Sequence, residues 1–460
     1  MLRRMSLTNF KCWRKLDVEL APITLFFGTN SSGKTAILQS LLMLKQTVIR
    51  YDNNVHLNLG ASRRDYLALG NYREMIFNHD ERRELEMGLK WILDERGIEE
   101  LKIARWVEAD LLRDSPYPEY QIGYESIWRL NGAVYTKSVA YELIEDGQTL
   151  HLFKSRRRPD KQYKMTHYVM SDADSFYAPG LYDETISPGL EGGFLITGSS
   201  PFQLTNSDIT IVARLVAFQL AVIMGRMQHI GPLRESPSRI YEWNDSDPFT
   251  IHPDGANAMQ MLIAAAREES DLLPQVEHGL QSLGLVHKFS VEPIDKDKQI
   301  YKAAVKFFDS KSALSDVGFG VSQVLPVVTL LFSAPQGSII LLEQPELHLH
   351  PNAQAALADL MLHVAETRGL QLIVETHSEH LLRRFQRRIA ENQSGFVTPD
   401  NIKMYFCQPG EDGSTATEID ISRFGQISNW PEKFLGDISG DLHEMVLAAL
   451  ERRSEEIQLG

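Results

Sequence analysis

The sequence predicts an α/β fold assembled around a phosphate-binding loop. Three observations carry that expectation. The octapeptide Gly28-Thr29-Asn30-Ser31-Ser32-Gly33-Lys34-Thr35 sits between an apolar run and a helix-patterned segment. A second apolar run, 338–342, ends in the acids Glu343 and Glu346. Roughly the last 150 residues alternate strand-like and helix-like patterns, which implies a mainly parallel sheet.

The N-terminal elements follow from local pattern. Residues 15–20 alternate in polarity and 23–27 form a short apolar run, as strands do. Residues 36–47 place Ile37, Leu38, Leu41, Leu42 and Leu44 at helical spacing. The loop between them matches G-x-x-x-x-G-K-[ST] at every defined position, in the strand-then-helix context that gives the motif its meaning. Gly28 and Gly33 let the backbone curl, so that N–H groups across Asn30, Ser31 and Ser32 point inward at phosphate. The helix that follows adds its positive dipole end. Lys34 reaches the β- and γ-phosphates, and the Thr35 hydroxyl can ligate Mg²⁺.

The middle of the chain changes character. Residues 51–205 are rich in Tyr, Gly, Asp and Pro, and alternating runs at 126–130, 134–143 and 149–153 predict hairpins in a β-rich insertion. Asp146-Gly147 is a hairpin-turn candidate, and 172–193 reads as a long surface loop. Residues 206–300 read as a helical segment with return strands. The longest apolar stretch, 209–227, follows the N-cap cluster Asn206-Ser207-Asp208 and predicts a buried helix. Helices are expected at 256–269 and 277–283, and strands at 288–292 and 301–308. No sustained heptads predict a coiled-coil arm.

The segment 301–460 carries the other half of the site. Asp316-Val317-Gly318-Phe319-Gly320-Val321-Ser322-Gln323 leads into an apolar helix at 324–332, with Pro326 expected in its first turn. Small residues at a helix start make an anion site. An acid at a strand's C-terminal end, here Glu343, can sit beside the phosphate loop and hold Mg²⁺. A further strand, 370–374, ends in Glu375-Thr376-His377-Ser378, and a histidine there can reach the γ-phosphate edge. A helical tail is expected at 442–456.

Taken together, "LTNFKCW…PITLFFGTNSSGKT", "DVGFGVSQ", "LLEQPELHLHP" and "IVETHSEHLL" resemble the ABC-type ATPases of the SMC-like branch, which includes the ATPase modules of OLD-family nucleases and stand-alone bacterial ATPases. The resemblance covers about 1–50 and 310–390. It implies an ABC/SMC-type P-loop ATPase head with a mixed sheet, split into 1–50 and 301–460. It implies ATP and Mg²⁺ as ligands, Mg²⁺ held by Thr35 and Glu343. It also implies a head-to-head homodimer that sandwiches two ATPs and allows higher assembly. Lys34 and Thr35 of one subunit would then face Gly320, Ser322 and Gln323 of the other, and His377 would be the switch histidine.

One departure matters. The family pattern has Asp-Glu where this chain has Glu343-Gln344. Glutamine cannot accept a proton as a general base. Glu346 can take over that role, hydrolysis can be slow with the protein acting as an ATP-gated clamp, or Gln344 can be an introduced substitution. A native Gln344 with weak or partner-stimulated hydrolysis is the favoured reading.

Weaker signals have plain alternatives. Glu346, His348 and His350, or Glu375, His377 and His380, have metal-ligand residue types, but the motifs above account for them. Asp295-Lys296-Asp297-Lys298 reads as a solvated turn. Arg383, Arg384, Arg387 and Arg388 form a basic stripe opposite Leu381, Leu382, Phe385 and Ile389, which suits a solvated helix face or a contact with nucleic acid. Lys154, Arg156, Arg157, Arg158, Lys161 and Lys164 make the densest basic cluster. Gly231-Pro232-Leu233-Arg234 and Arg239 resemble a recurrent element of the stand-alone ATPases.

The formal net charge of −14 argues against a surface coated by DNA or anionic lipid, so any nucleic-acid site must be local. Two cysteines, Cys12 and Cys407, make neither a disulfide framework nor a zinc pattern, which fits a reducing compartment and a cytoplasmic protein. The resemblance implies ATP-gated dimerisation that controls an effector, a nuclease or toxin, in bacterial anti-phage defence. A DNA-repair or DNA-structure-sensing clamp is the alternative. A transporter subunit is disfavoured, because Ser322 lies so far from Lys34 in sequence. Neighbouring genes would separate the first two.

Overall fold

The computed structural model describes residues 1–49, 57–60, 66–92, 219–243, 250–295, 299–308, 310–392, 394–430 and 445, and the backbone of strands between 123 and 186. The chain opens with an antiparallel pair, β1 (Leu2–Phe10) and β2 (Trp13–Glu19), followed by β3 (Ile23–Gly28) and the helix α1 (Lys34–Ile49). After a one-turn helix α2 (Tyr72–Met75) come β4 (Leu85–Ile92), β5 (Gly123–Asn131), β6 (Tyr135–Glu145), β7 (Gln148–Arg157), β8 (Tyr163–Met170), β9 (Phe176–Tyr177) and β10 (Thr185–Ile186). Among the described residues β4 pairs directly with β1, so β4 to β10 continue the sheet that β1 and β2 begin. The hairpins expected between 126 and 153 are present. The Asp146-Gly147 turn lies outside the described residues. Within 172–193, read as loop, β9 and β10 each pair with β8.

Next come β11 (Met227–Ile230), β12 (Tyr241–Glu242), the helices α3 (Ala258–Arg267) and α4 (Leu272–Ser282), and a small antiparallel sheet of β12 with β13 (Lys288–Asp295), β14 (Ile300–Phe307) and β15 (Ser310–Ala313). The remaining elements are α5 (Phe319–Ser333), β16 (Ile339–Glu343), α6 (Pro351–Arg368), β17 (Gln371–Glu375), α7 (Glu379–Glu391), β18 (Ile402–Gln408) and β19 (Thr415–Glu418).

The central sheet runs β11-β16-β17-β3-β18-β19. Its first five strands are parallel and β19 is antiparallel, so the α/β class with a mixed sheet is observed. β3, from the start of the chain, lies between β17 and β18 from its far end. The period-2 alternation of each strand divides the core in two. Ile23, Leu25, Phe27, Ile340, Leu342, Leu372, Val374, Ile402, Met404 and Phe406 face α3 to α7. Phe26, Ile339, Leu341, Ile373, Tyr405 and Cys407 face α1 and the β1–β2–β4 layer. A sheet covered on both faces explains why its strands read as unbroken apolar runs.

Three local expectations are corrected. Met227, assigned to a long helix, begins β11; the described helix stops at 226 and the chain enters the sheet beside β16. All four residues of β11 are buried, so no alternation marks it as a strand. Pro326 is not in the first turn, because α5 starts at Phe319. It lies mid-helix and packs under Gly255, where an added Cβ would come within 2.7 Å of its ring. Finally, β18 and β19 complete the sheet where no specific strand was expected. The helical tail lies outside the described residues except Met445, which is helical.

Candidate functional site

The site forms along the C-terminal edge of three adjacent parallel strands, β3, β17 and β16. The loop after β3 curls through left-handed backbone, with φ of 147° at Gly28, 62° at Ser31 and 94° at Gly33. Both glycines are required by close approach. A Cβ at Gly28 would sit 2.1 Å from the Cys407 carbonyl oxygen on β18, and one at Gly33 would sit 2.5 Å from Cys12 Sγ. Trp13 Nε1 donates to the Gly33 carbonyl at 3.0 Å, fixing the loop against the N-terminal hairpin. Thr29, Asn30 and Ser31 are exposed, whereas Ser32 and Lys34 are buried. Lys34 Nζ donates to the carbonyls of Gly28 (3.1 Å) and Thr29 (2.8 Å). Burial pulls its pKa below the ordinary lysine value, against the pull of Glu375.

The carboxylates converge opposite the loop. Glu343 and Glu375 are register partners at the ends of β16 and β17. Thr35 Oγ1 donates to Glu375 Oε1 at 3.0 Å. Glu343 Oε1 lies 2.8 Å from His229 Nε2, both groups buried. Glu346 is buried beneath the turn after β17 and accepts from Thr376 Oγ1 (2.6 Å) and the His377 backbone N–H (2.9 Å). Burial raises the pKa of Glu346, and burial together with the charges of Glu343 and Glu346 raises that of Glu375. His377 is exposed at the rim. Gln344 adopts left-handed backbone (φ 44°), and its N–H donates to the Glu375 carbonyl at 2.8 Å.

The turn 318–323 forms a second group. Ser322 Oγ donates to the Phe319 carbonyl at 2.9 Å, within α5. Gly320 lies close under the 344–350 loop, where a Cβ would be 3.0 Å from the His348 carbonyl oxygen. Arg234 ties this group to β16. Its guanidinium donates to the carbonyls of Gln323 (3.1 Å), Glu343 (3.1 Å) and Gln344 (3.2 Å). Burial lowers its pKa to about 10. Among the described residues no hydrogen bond joins 318–323 to the phosphate loop of the same chain.

Of the residues expected at the site, Lys34, Thr35, Glu343, Gln344, Glu346 and His377 come together at one sheet edge, while Gly320, Ser322 and Gln323 lie on the other side of Arg234. Sequence reasoning missed His229, which lies just beyond the 209–227 run read as a helix, and weighed Glu375 only within a discounted metal-ligand trio. Glu375 obeyed the same signal as Glu343, an acid ending an apolar strand.

The weaker candidates separate. Among the described residues no group of three or more His, Cys, Asp and Glu is placed to hold a metal by itself. His350 instead caps α6 through the Asn352 N–H. The arginine stripe on α7 is internally paired: Arg384 and Arg388 with Asp359, Arg387 and Arg388 with Glu391, and Arg383 with Glu379. Arg383 also lies over the Trp430 ring, and Arg239 pairs with Asp316. In the other basic cluster the backbones of Arg156 and Lys164 are register partners, but Arg158 and Lys161 lie outside the described residues. So do 296–298 of the Asp295 turn. No described helix is long and apolar enough to cross a membrane.

Comparison with known proteins adds family-level context. Residues 1–156 match a model described as "AAA ATPase domain", and 265–383 match "AAA domain, putative AbiEii toxin, Type IV TA system". Residues 397–445 match "Protein of unknown function (DUF3696)". The two AAA matches contain the phosphate loop and the acidic strand ends, respectively. No curated protein matches the chain. Solved structures offer loose likenesses. An SMC head bound to the C-terminal winged-helix domain of ScpA shares 12% identity at TM-score 0.46, covering 92% of this chain and 98% of that one. The Smc head of Pyrococcus furiosus bound to the C-terminal domain of ScpA shares 11% at TM-score 0.44, over 91% and 96%. The SMC head of Thermotoga maritima shares 9% at TM-score 0.38, over 91% and 99%. The two segments that build the site each match an AAA ATPase model.

Proposed function

We propose that the chain binds ATP with Mg²⁺ at the 28–35 loop, hydrolyses it slowly, and uses the bound nucleotide to close a head-to-head homodimer that controls an effector protein. The observation that carries this reading is the placement of Lys34 and Thr35 against carboxylates at the ends of β16 and β17.

The residues fit the ligand. The loop is a backbone cradle that a Cβ at Gly28 or Gly33 would fill. The side-chain oxygens Glu346 Oε2 and Glu375 Oε2 are buried without a hydrogen-bond partner, as suits carboxylates that meet a cation. Lys34 exchanges its loop carbonyls for phosphate oxygens. Thr35 and Glu343 hold Mg²⁺, which supplies neutralisation and alignment of the phosphate oxygens. Glu346 holds the turn that presents His377. Gln344 can orient water through its amide but cannot take its proton, which is why hydrolysis is slow.

In the dimer, Gly320, Ser322 and Gln323 face the partner's nucleotide, consistent with the lack of any hydrogen bond to their own loop. The effector is a nuclease or toxin and the setting is bacterial anti-phage defence. The family resemblance supports this, as does the toxin system named in the description of the model matching 265–383. The paired arginines of α7 offer little to a DNA clamp.

Size-exclusion with light scattering tests the core of the reading. ATP should convert monomer to dimer, and Lys34→Ala should stay monomeric. A chain that neither binds ATP nor changes size with it would remove the proposal. Expression with its neighbouring genes under phage challenge tests the setting, and protection that survives Lys34→Ala would count against it.

A further inference from the structure

We propose that Glu375 is the positioning carboxylate for the cation that accompanies ATP: it accepts the hydrogen bond of the Thr35 hydroxyl and so turns that oxygen's lone pairs toward the cation. This rests on the ATP and Mg²⁺ reading above and adds a residue to it.

Hydrogen-bond chemistry sets the direction. When Glu375 is ionised it only accepts, so the Thr35 hydroxyl donates across the 3.0 Å contact and its proton points at Glu375. A hydroxyl has one proton and two lone pairs. With the proton committed, both lone pairs are free on the side away from Glu375. A hydroxyl left to rotate would present its proton to a cation part of the time.

The chain supplies its own contrast. Thr47, Thr329 and Thr367 lie in helices and donate to the carbonyl four residues back, at 2.7, 2.8 and 2.7 Å. That is the ordinary choice for a helical threonine. Thr35, in the first turn of α1, reaches across 340 positions to Glu375 instead.

Glu375 is also built to hold still. The Gln344 N–H donates to its carbonyl at 2.8 Å, and the next residue, Thr376, donates its N–H to the Phe26 carbonyl at 3.1 Å. Both neighbouring strands therefore clamp its backbone. The side chain is buried, 4% exposed, and its Oε2 has no hydrogen-bond partner. The opposing acid is engaged elsewhere, because Glu343 Oε1 meets His229. The two facing carboxylates thus divide the work, Glu375 serving Thr35 and Glu343 being set by His229.

The test is a Mg²⁺ titration of binding by a fluorescent ATP analogue, with the full chain and no turnover readout. Glu375→Gln keeps the shape but lets an amide N–H compete for the Thr35 oxygen. It removes a negative charge beside Lys34, so metal-free nucleotide binding should not weaken, while the Mg²⁺ concentration for half-effect should rise by about tenfold or more, as loss of a ligand-orienting partner does. Because Glu375 acts through Thr35, adding Glu375→Gln to Thr35→Val should shift the midpoint no further than Thr35→Val alone. An unchanged midpoint in Glu375→Gln, additive shifts in the double variant, or an equal loss of metal-free affinity would each overturn the proposal. Absence of nucleotide binding by the unmodified protein would instead overturn the reading beneath it.

Discussion

His229 Nε2 lies 2.8 Å from Glu343 Oε1, and both side chains are buried at the junction of β11 and β16. The acid at the strand end is therefore not a free carboxylate. Its orientation is set by a residue 114 positions earlier on the neighbouring strand.

Replacing His229 with phenylalanine keeps the ring volume and removes that partner. A buried carboxylate left without its hydrogen bond is costly and reorients. The expected outcome is a weaker Mg²⁺ dependence of ATP binding, by about tenfold, with the fold retained. Isothermal titration with and without Mg²⁺ measures it. Unchanged metal dependence would show that Glu343 keeps its orientation unaided.

Gln344→Glu restores a proton acceptor at the position where the resemblance expects one. General bases contribute about 10²–10⁴-fold to rate. Steady-state phosphate release should rise about 100-fold, the lower end of that range. A rate that does not move assigns proton transfer to Glu346 instead, and Glu346→Gln should then abolish it.

Gly33→Ala tests the loop geometry. The position has φ of 94° and leaves a Cβ 2.5 Å from Cys12 Sγ. Strain at such a backbone position costs about 1–3 kcal/mol. ATP affinity should fall while the melting temperature of the core changes less. Cys12→Ala in the same background removes the closest contact but leaves the Trp13 ring at 2.9 Å and the positive φ, so rescue should be partial.

Lys45 supplies a pH signature of stability. Its ammonium is buried in α1, donates to the Met227 carbonyl and stands 4.5 Å from the Tyr66 ring centre. Burial lowers its pKa to about 8, from the ordinary value of 10.5. Below pH 8 both folded and unfolded chains carry the proton, and the burial penalty is present in full. Between about pH 8 and the ordinary lysine value the unfolded chain binds more protons, so stability rises with pH. Denaturant midpoints of the unmodified protein should therefore gain on those of Lys45→Met as pH goes from 7.5 to 9.5, roughly the window between the two pKa values. Parallel curves would place Lys45 in water.

Asp359→Asn tests the arginine stripe. Arg384 and Arg388 share Asp359 at 2.8 and 2.7 Å, with all three side chains about two-thirds to three-quarters covered. Its loss should cost about 1 kcal/mol, near the upper end for such pairs, and lower the melting temperature. It also frees Arg384 and leaves Arg388 to Glu391 alone. Salt-sensitive DNA binding that appears only in Asp359→Asn would show that pairing is what keeps the stripe from nucleic acid.

Local sequence determined much of this protein by itself. The glycines at 28 and 33, the lysine and threonine after them, and the acids closing apolar strands follow from backbone and hydrogen-bond chemistry over a few residues. The parallel sheet followed from the alternation of strand-like and helix-like segments toward the end of the chain. Tertiary structure alone decided which distant residues meet. It inserted β3 between β17 and β18, which brought Thr35 to Glu375. It placed β11, which begins where the apolar run read as a helix ends, beside β16, which brought His229 to Glu343. A fully buried strand carries no alternation, and a hydrogen bond across hundreds of positions leaves no spacing. It also paired Arg384 and Arg388 with Asp359 on the neighbouring helix α6, a match that charge along one segment cannot reveal. Short-range pattern specifies each element and its chemistry, while the partners of a buried polar group depend on where the whole sheet places it.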